Sequence, residues 1–315
     1  MMKRGYVLGA LFLVASCSNN AAPGGGDGGG GGIPPDMAAM VPSEGGVVTV
    51  GDSVTLVSTS FTLNPGDEVF KCQDFANPFN GSDVDIKEWD SHMTPGSHHL
   101  LAFYKANATD VPLADCNPLQ FGPVAFGAQI PDASLVFPAT IGSLLQGTNG
   151  FHVQMHYLNT TMQPFDVHVT VTMHKAMPGE VTQHAGIYFM NNASGIHVKA
   201  GATEDITASY TFKQPVNLLS AFAHMHKFSN SMTATIGGQP LYNTTSWDNS
   251  TVTLLSPAMP VAVGTTVTWT CNVTNTTGGL LTFGESAINN DMCIFEGYYY
   301  PVPAGQSDPT ISSMQ

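Results

Sequence analysis

Basic side chains are scarce in this sequence. Lys and Arg total 9 of 315 residues against 23 Asp and Glu, which gives a formal net charge of −14, and charged residues make up only 10%. Nucleic acids and anionic lipid surfaces need a basic partner, so this balance argues against both. An acidic surface does not repel metal cations or amines.

Several catalytic motifs are also missing. The chain has no nucleotide-binding glycine loop after a strand, no serine nucleophile elbow and no zinc-protease motif. Strong helical patterns are few, whereas Thr, Val, Gly, Asn and Ser are abundant. This composition is typical of an all-β protein.

The apolar run near the N-terminus is too short to span a bilayer as a helix, which needs ~20 residues. Lys3 and Arg4 precede an apolar run at 6–14, and Val14-Ala15-Ser16-Cys17 follows it. The segment resembles a bacterial lipoprotein signal peptide with its lipobox. The resemblance implies removal of residues 1–16, lipidation of Cys17 and, because Ser18 follows, anchoring in the outer membrane of a Gram-negative bacterium. The alternative is an ordinary secretory signal with an unrelated cysteine. Residues 17–42 are glycine-rich and predict a flexible linker.

Five cysteines is an odd number, and a lipidated Cys17 would leave four. Disulfides persist in exported proteins, and four cysteines allow three pairings. Pairing within each half of the chain, Cys72 with Cys116 and Cys271 with Cys293, is the economical choice.

Short runs of alternating apolar residues, bounded by turn residues, continue from Gly45 onward, and a turn-rich break at 175–180 divides them into two halves. We therefore predict an all-β protein of two consecutive antiparallel jelly-roll β-sandwich domains, at 43–177 and 178–305, with a tail at 306–315. His168 and His174 fall on the polar face of a strand and are predicted not to bind metal.

The segment Ala221-Phe222-Ala223-His224-Met225-His226 predicts a metal site. Side chains at i and i+2 of a strand point to one face, so His224 and His226 can reach one metal. A soft thioether such as Met292 together with imidazoles favours copper. Two hydrogen-bonded histidines on a strand would give the same pattern without a metal.

Two further histidine clusters precede this segment. His152, Gln154 and His156 alternate on one strand and so share a face. His98 and His99 are adjacent and can share a metal only if the backbone bulges or twists, which the break at 95–96 permits. Otherwise one of them is a buried, hydrogen-bonded histidine and the other is exposed.

These motifs, followed by Asp291-Met292-Cys293, occur in the order seen in the copper type II, ascorbate-dependent monooxygenases, which include peptidylglycine α-hydroxylating monooxygenase and dopamine β-hydroxylase. The chain resembles that family over residues 43–305. The resemblance implies the same two disulfides. It also implies a first ligand set of His98, His99 and His156 for an electron-donating copper, with Gln154 close by, and a second ligand set of His224, His226 and Met292 for the catalytic copper.

The resemblance implies further that two copper ions act across a solvent-filled cleft, with O2 and ascorbate or an equivalent reductant, on a small organic substrate. We expect a monomer that binds no nucleic acid and meets the membrane only through its lipid. His92 and His152 match nothing in the family, although His152 shares a face with His156 and could replace or add a ligand. Since ligand histidines must be neutral, we expect copper affinity to fall as the pH drops through ~6.

The substrate-binding positions depart from the family. The peptide-processing enzymes hold a peptide carboxylate with an Arg and a Tyr at the positions of Phe222 and Glu296. A peptide carboxylate finds no basic partner there, so peptide amidation is not expected. Glu296 could pair with an amine or a hydroxyl of the substrate, or it could be a surface residue without a ligand. The rival interpretations of the whole chain are a copper-binding lipoprotein without turnover, and a zinc-binding or purely structural sandwich protein.

Overall fold

Every regular element in the described part of the chain is a β-strand. The computed structural model describes residues 45–118, 122–248, 250–306 and 308–314. Within these ranges no helix is present that could cross a membrane. The predicted signal peptide, Cys17 and the glycine-rich linker up to residue 42 lie outside the described residues.

The first half of the chain forms two main sheets. One has the strand order β1-β2-β13-β5-β10-β14, with β9 also paired to β5, and the other has the order β7-β4-β11-β6-β8, while β3 pairs with β12. The strands are β1 (Gly46–Val50), β2 (Ser53–Val57), β3 (Phe61–Leu63), β4 (Glu68–Phe75), β5 (Val84–Met93), β6 (Ser97–Ala106), β7 (Val111–Asp115), β8 (Val124–Ala128), β9 (Asp132–Val136), β10 (Ile141–Leu145), β11 (Asn149–Leu158), β12 (Phe165–Val167), β13 (Val169–Lys175) and β14 (Gln183–His184).

The second half also forms two main sheets, with the orders β21-β18-β24-β15-β25 and β17-β22-β19-β20, and β16 pairs with β23. The strands are β15 (Gly186–Asn191), β16 (His197–Val198), β17 (Thr203–Thr211), β18 (Val216–Met225), β19 (Ser229–Ile236), β20 (Gln239–Thr244), β21 (Thr253–Val261), β22 (Thr266–Thr274), β23 (Leu281–Thr282), β24 (Cys293–Tyr300) and β25 (Ile311–Met314).

The strand orders identify both halves as jelly rolls. A jelly roll packs two four-stranded antiparallel sheets whose neighbours are mostly distant in sequence. In the first half these sheets are β2-β13-β5-β10 and β4-β11-β6-β8, and in the second they are β15-β24-β18-β21 and β17-β22-β19-β20. The predicted fold of two consecutive antiparallel β-sandwiches is confirmed.

Each sandwich buries its own core between its sheets. Trp89 in the first and Trp269 in the second are both completely buried. The alternation of apolar residues on β2, β13, β17 and β22 places these side chains inward, as period-2 patterning requires. The disulfide prediction is also confirmed, because Cys72 is bonded to Cys116 and Cys271 to Cys293.

The two sandwiches meet along an apolar interface. Ile187, Leu219 and Tyr298 belong to the second sandwich but pack into the core of the first. Tyr298 makes an edge contact with Phe137, with ring centroids 5.6 Å apart. This interface fixes the outer face of the sheet containing β15, β18 and β24 against the first sandwich.

The chain passes between the sandwiches later than the predicted boundary at 177. β14 at Gln183–His184 still pairs with β10 of the first sandwich, and β15 begins the second at Gly186. Part of the predicted tail is a strand, because Ile311–Met314 pairs in parallel with β15 and buries the Ile311 side chain.

Candidate metal centre

A β-bulge brings His98 and His99 to the same side of the chain. His99 pairs with His156 and Ser97 with Tyr157, so His98 is an extra residue in β6 opposite β11. A bulge of this kind redirects one side chain across the sheet. The rings of His98 and His99 have their centroids 5.1 Å apart. The bulge that a shared metal at His98 and His99 requires is therefore present.

Asp291 joins the two segments that carry the second ligand set. Its carboxylate is fully buried and accepts hydrogen bonds from the N–H groups of His226 (3.0 Å) and Met292 (2.9 Å) and from the Ser229 hydroxyl (2.8 Å). Burial raises the pKa of Asp291 to about 7, although these hydrogen bonds counteract part of the rise. The carboxylate holds the end of β18 beside the start of β24.

Five histidines from the two sandwiches form one group, which we call the histidine cluster: His98, His99, His156, His224 and His226. The ring centroids of His98 and His156 are 4.9 Å apart, and those of His99 and His224 are also 4.9 Å apart. One ring nitrogen each of His98, His99 and His224 lie within 4.8 Å of one another. The two ligand sets are thus in contact, whereas the family resemblance implied a solvent-filled cleft between them.

Each ring of the histidine cluster has one buried nitrogen without a hydrogen-bond partner. These atoms are His98 Nε2, His99 Nδ1, His156 Nδ1, His224 Nε2 and His226 Nε2. A buried polar atom without a partner costs free energy, so five of them in one place form a set of donors suited to a common ligand. Neutral imidazole nitrogens are common metal ligands, and the donor set therefore fits a metal ion.

Protein groups hold the second nitrogen of three of these rings. His226 Nδ1–H donates to the Asn290 carbonyl oxygen (3.2 Å), and His156 Nε2–H donates to Glu68 (3.1 Å). His224 Nδ1 contacts the side-chain amide of Gln129. The contacts of His226 and His156 place the ring proton on the nitrogen that the protein holds, so His226 Nε2 and His156 Nδ1 are the unprotonated donors.

The cluster is neutral as a consequence of burial. Burial lowers the pKa of all five histidines, and the proximity of other histidines lowers it further for four of them. The pKa of His226 falls to about 3. For His156, the hydrogen bond to Glu68 offsets part of the effect. All five are therefore available as neutral ligands at pH 7 without deprotonation.

A small cavity of about 30 Å³ adjoins the cluster and has room for one or two water-sized groups. His99, His224 and Met292 line it, as do the two predicted substrate-binding residues, Phe222 and Glu296. Burial raises the pKa of Glu296 to about 8, and burial raises that of Glu285, in the same wall, to about 8. The cavity thus joins a thioether, two imidazoles and two carboxyl groups that remain protonated at pH 7.

The other predicted residues lie outside the cluster. Gln154 is buried on the same face of β11 as His156, but its amide donates to the Pro118 carbonyl oxygen (3.4 Å). His152 is four residues from His156, or about 13 Å along the strand, and its Nδ1 pairs with Asp74 (2.6 Å). His92 pairs with Asp132 (2.7 Å) on the other sheet.

His174 also lies on the other sheet, close to Glu88 and Asp90. Both of its ring nitrogens have protein partners, namely Ser53 Oγ (2.8 Å) and Asp90 Oδ2 (2.6 Å). This ring therefore has no nitrogen left over for a metal, in contrast to the histidines of the cluster.

Sequence reasoning missed the residues that support the cluster. Glu68 and Gln129 occur in no recognisable motif, and their partners are distant in sequence: Glu68 is 88 residues from His156, and Gln129 is 95 residues from His224. The sequence singles out Asp291 only as part of the motif with Met292. Its position next to that predicted ligand is the one sequence feature that points to its hydrogen bonds with the ligand segments. Glu285 gave no signal at all.

Comparison with known proteins gives no relative from which function can be transferred. No family model and no curated protein matches this sequence. Among solved structures, the major capsid protein P2 of bacteriophage PM2 is 7% identical with a TM-score of 0.35, covering 82% of this chain and 96% of that one. PNGase F from Flavobacterium meningosepticum is 10% identical with a TM-score of 0.32, covering 84% of this chain and 98% of that one. Likenesses this weak support no argument about activity.

Proposed function

We propose that this protein is a copper-dependent monooxygenase that hydroxylates an activated C–H bond of a small organic substrate, using O2 and a one-electron reductant such as ascorbate. The observation that carries the proposal is the histidine cluster. Five imidazoles, each with one buried and unsatisfied nitrogen, lie beside a cavity that Met292 also lines. Imidazoles with a thioether are the ligand combination that favours copper over zinc.

We propose two copper ions, held by the first and the second ligand set. Bound copper would supply the one-electron redox chemistry that O2 activation needs. Burial keeps His156 and His226 neutral. Glu68 and the Asn290 carbonyl hold the ring protons at His156 Nε2 and His226 Nδ1, which leaves the other nitrogen of each ring for the metal. The apolar walls of the cavity limit the access of water to the reacting groups.

The small cavity, with room for one or two water-sized groups, suits the reacting end of a substrate that carries no carboxylate there. The described residues that line it include no Lys or Arg, so a peptide carboxylate would be buried there without a cation. Glu296 is protonated at neutral pH because burial raises its pKa to about 8. A protonated carboxyl can donate a hydrogen bond to a substrate hydroxyl, which favours the hydroxyl over the amine as its partner.

We further propose that the protein is exported and anchored by a lipid on Cys17 to the outer membrane of a Gram-negative bacterium. The two disulfides support an oxidising compartment. Cys17 itself lies outside the described residues, and the proposal rests on its resemblance to a lipobox cysteine.

The deciding experiment measures copper content and O2 uptake together on the full chain. We expect two coppers per chain in the wild type, about one in His98→Ala, and ascorbate-dependent O2 uptake with formation of a hydroxylated product. His92→Ala is the matched control, because His92 lies on the other sheet with Asp132 as partner. The copper content of Met292→Ala is measured with Cu(I), because a thioether is a soft ligand and its loss affects Cu(I) binding most.

Two outcomes would reject the proposal. If the wild-type protein binds no copper, the interpretation that stands is a structural or zinc-binding sandwich protein. Copper binding without O2 uptake or product, across a panel of neutral and amine substrates, would favour a copper-binding lipoprotein that performs no turnover.

A further inference from the structure

A second, larger cavity lies next to the small one. It has a volume of about 350 Å³, which is within the usual range for small-molecule sites. The outer face of β15 and β25 forms its floor, and the segments Gly122–Val124 and Asp308–Thr310 form its walls. Phe189 lines both this cavity and the one beside the histidine cluster. The two spaces are therefore neighbours, with one aromatic ring between them.

Asn191 in this larger cavity has an unsatisfied side chain. It is 1% exposed, and neither Oδ1 nor Nδ2 has a hydrogen-bond partner. Burying an amide without partners is costly, and neighbouring protein groups do not repay it here. The amide needs a partner that donates to Oδ1 and accepts from Nδ2. Hydroxyl and carboxamide groups do both.

The sheet register connects Asn191 with the metal ligands. Asn191 pairs with Ile294 on β24, and Ile294 pairs with His224 on β18. Two strand spacings separate Asn191 from His224, or about 10 Å. In the adjacent row, Phe189 pairs with Glu296, which pairs with Phe222. One continuous face of the sheet therefore extends from the predicted ligand His224 to the unsatisfied amide.

We propose that this larger cavity binds the substrate and that Asn191 binds a neutral hydroxyl or carboxamide group of it, while an apolar part extends past Phe189 towards the metal centre. The inference rests on the proposed function and adds the substrate class. Charge supports it, because the exposed Asp308 is the one charged side chain among the described residues that line this cavity. An anion would find no cationic partner among these lining residues, and a cation would find its only charged partner in the exposed Asp308 and not in the buried amide of Asn191.

Two pairs of probes with matched shapes test the substrate class: benzamide with benzoate, and benzyl alcohol with benzylamine. Each has one benzene ring, and they differ in the polar group. We expect the carboxamide or the alcohol to bind at least tenfold more tightly than the ammonium and the carboxylate, by calorimetric titration of the copper-loaded full chain. Tighter binding of either charged probe would overturn the proposal. The tighter of benzamide and benzyl alcohol shows whether Asn191 prefers a carboxamide or a hydroxyl group.

The variant Asn191→Leu tests the location, with Asn243→Leu as control because Asn243 is exposed on β20. We expect Asn191→Leu to weaken the better neutral probe at least tenfold and Asn243→Leu to leave it unchanged. We also expect Asn191→Leu to raise the melting temperature of the free protein by about 3 °C, since an unsatisfied buried amide is removed. Unchanged binding in Asn191→Leu would refute the site. If that variant does not fold, the side-chain amide resonances of Asn191 in the wild type must shift on adding the probe, or the proposal fails.

Paramagnetic relaxation separates this inference from the proposed function. With Cu(II) bound, ring protons of the probe should relax faster than in the same protein loaded with Zn(II), because the ring lies within about 10 Å of His224. A wild type that binds no copper refutes the proposed function. Copper binding without faster relaxation of a bound probe refutes only the substrate cavity.

Discussion

The protonation state of the histidine cluster is determined before any metal binds. Burial and, for most of the rings, neighbouring histidines lower the pKa of these residues, that of His226 to about 3. A histidine at its ordinary pKa of about 6.5 is only about 3% neutral at pH 5, which would cost about 30-fold in copper affinity for each ligand. The sequence-based expectation that affinity falls through pH 6 is therefore revised to a lower pH.

We predict that the Cu(II) affinity of the full chain changes by less than about tenfold between pH 7 and pH 5, since burial lowers the pKa of each of its histidine ligands. A competing chelator of known pH dependence measures it. The peptide of residues 221–226, whose histidines titrate at their ordinary pKa, should lose far more affinity. A parallel loss in protein and peptide would contradict this account.

The carboxyl of Glu296 makes the free energy of unfolding fall as the pH rises. Burial raises its pKa from 4.5 to about 8, so the unfolded chain ionises at a lower pH than the folded one. The stability that this protonated carboxyl contributes is fully present below pH 4.5 and is lost as the pH rises to about 8. Glu296→Gln cannot ionise, so we predict that it gains stability over the wild type by up to ~1.4 kcal/mol per pH unit in this window.

Urea unfolding of the metal-free protein at pH 5, 6, 7 and 8 measures this gain. Glu204→Gln is the control, because Glu204 is exposed on β17 and should give the same difference at every pH. Parallel curves for the wild type and Glu296→Gln would show that Glu296 is ionised in the folded protein.

At the level of elements, Glu68 connects β4 with the segment before Met292. It accepts hydrogen bonds from the Ser286 hydroxyl (2.7 Å), the Ala287 N–H (2.7 Å) and His156 Nε2–H (3.1 Å). Burial on its own raises the pKa of Glu68, but the hydrogen bonds from His156 and Ser286 outweigh it and the net pKa is lowered. A single carboxylate thus contacts a ligand of the first set and the segment that leads to a ligand of the second.

We predict that Glu68→Gln destabilises the folded protein by about 1–3 kcal/mol, because three hydrogen bonds to a carboxylate are replaced by weaker ones to a neutral amide. We also predict a changed Cu(II) EPR spectrum, since His156 loses its charged partner. Chemical unfolding and EPR of the copper-loaded chain measure the two effects. Glu204→Gln should change neither, and an unaltered spectrum in Glu68→Gln would contradict the role in positioning His156.

The sequence predicts what depends on neighbours along the chain. Period-2 alternation places His224 and His226 on one face, and the break at Pro95-Gly96 permits the bulge at His98, because both effects are local. Contact between the two ligand sets could not be predicted, since it depends on bonds such as Glu68 to Ser286, across 218 residues. The unsatisfied amide of Asn191 could not be predicted either, because whether a side chain is buried depends on how the sheets pack.

At the scale of the whole molecule, the histidine cluster contains side chains from both sandwiches. His98, His99 and His156 come from the first sandwich and His224 and His226 from the second, with centroids as close as 4.9 Å across the interface. Binding to a folded state stabilises it by mass action, by about 2.7 kcal/mol at a free ligand concentration 100-fold above Kd. Copper held by ligands from both sandwiches should therefore stabilise both.

Amide hydrogen exchange tests this coupling strand by strand. We predict that copper slows exchange in β6 and β11 of the first sandwich and also in β18 and β24 of the second. His99→Ala removes a ligand from the first sandwich only, yet it should also reduce the copper-induced protection of β18 and β24, because the ring of His99 lies against that of His224. His92→Ala should behave as the wild type. Full protection of β18 and β24 in copper-loaded His99→Ala would mean that the two ligand sets bind copper independently, as the family resemblance alone implies. The contact between the two sets would then contribute no coupling free energy.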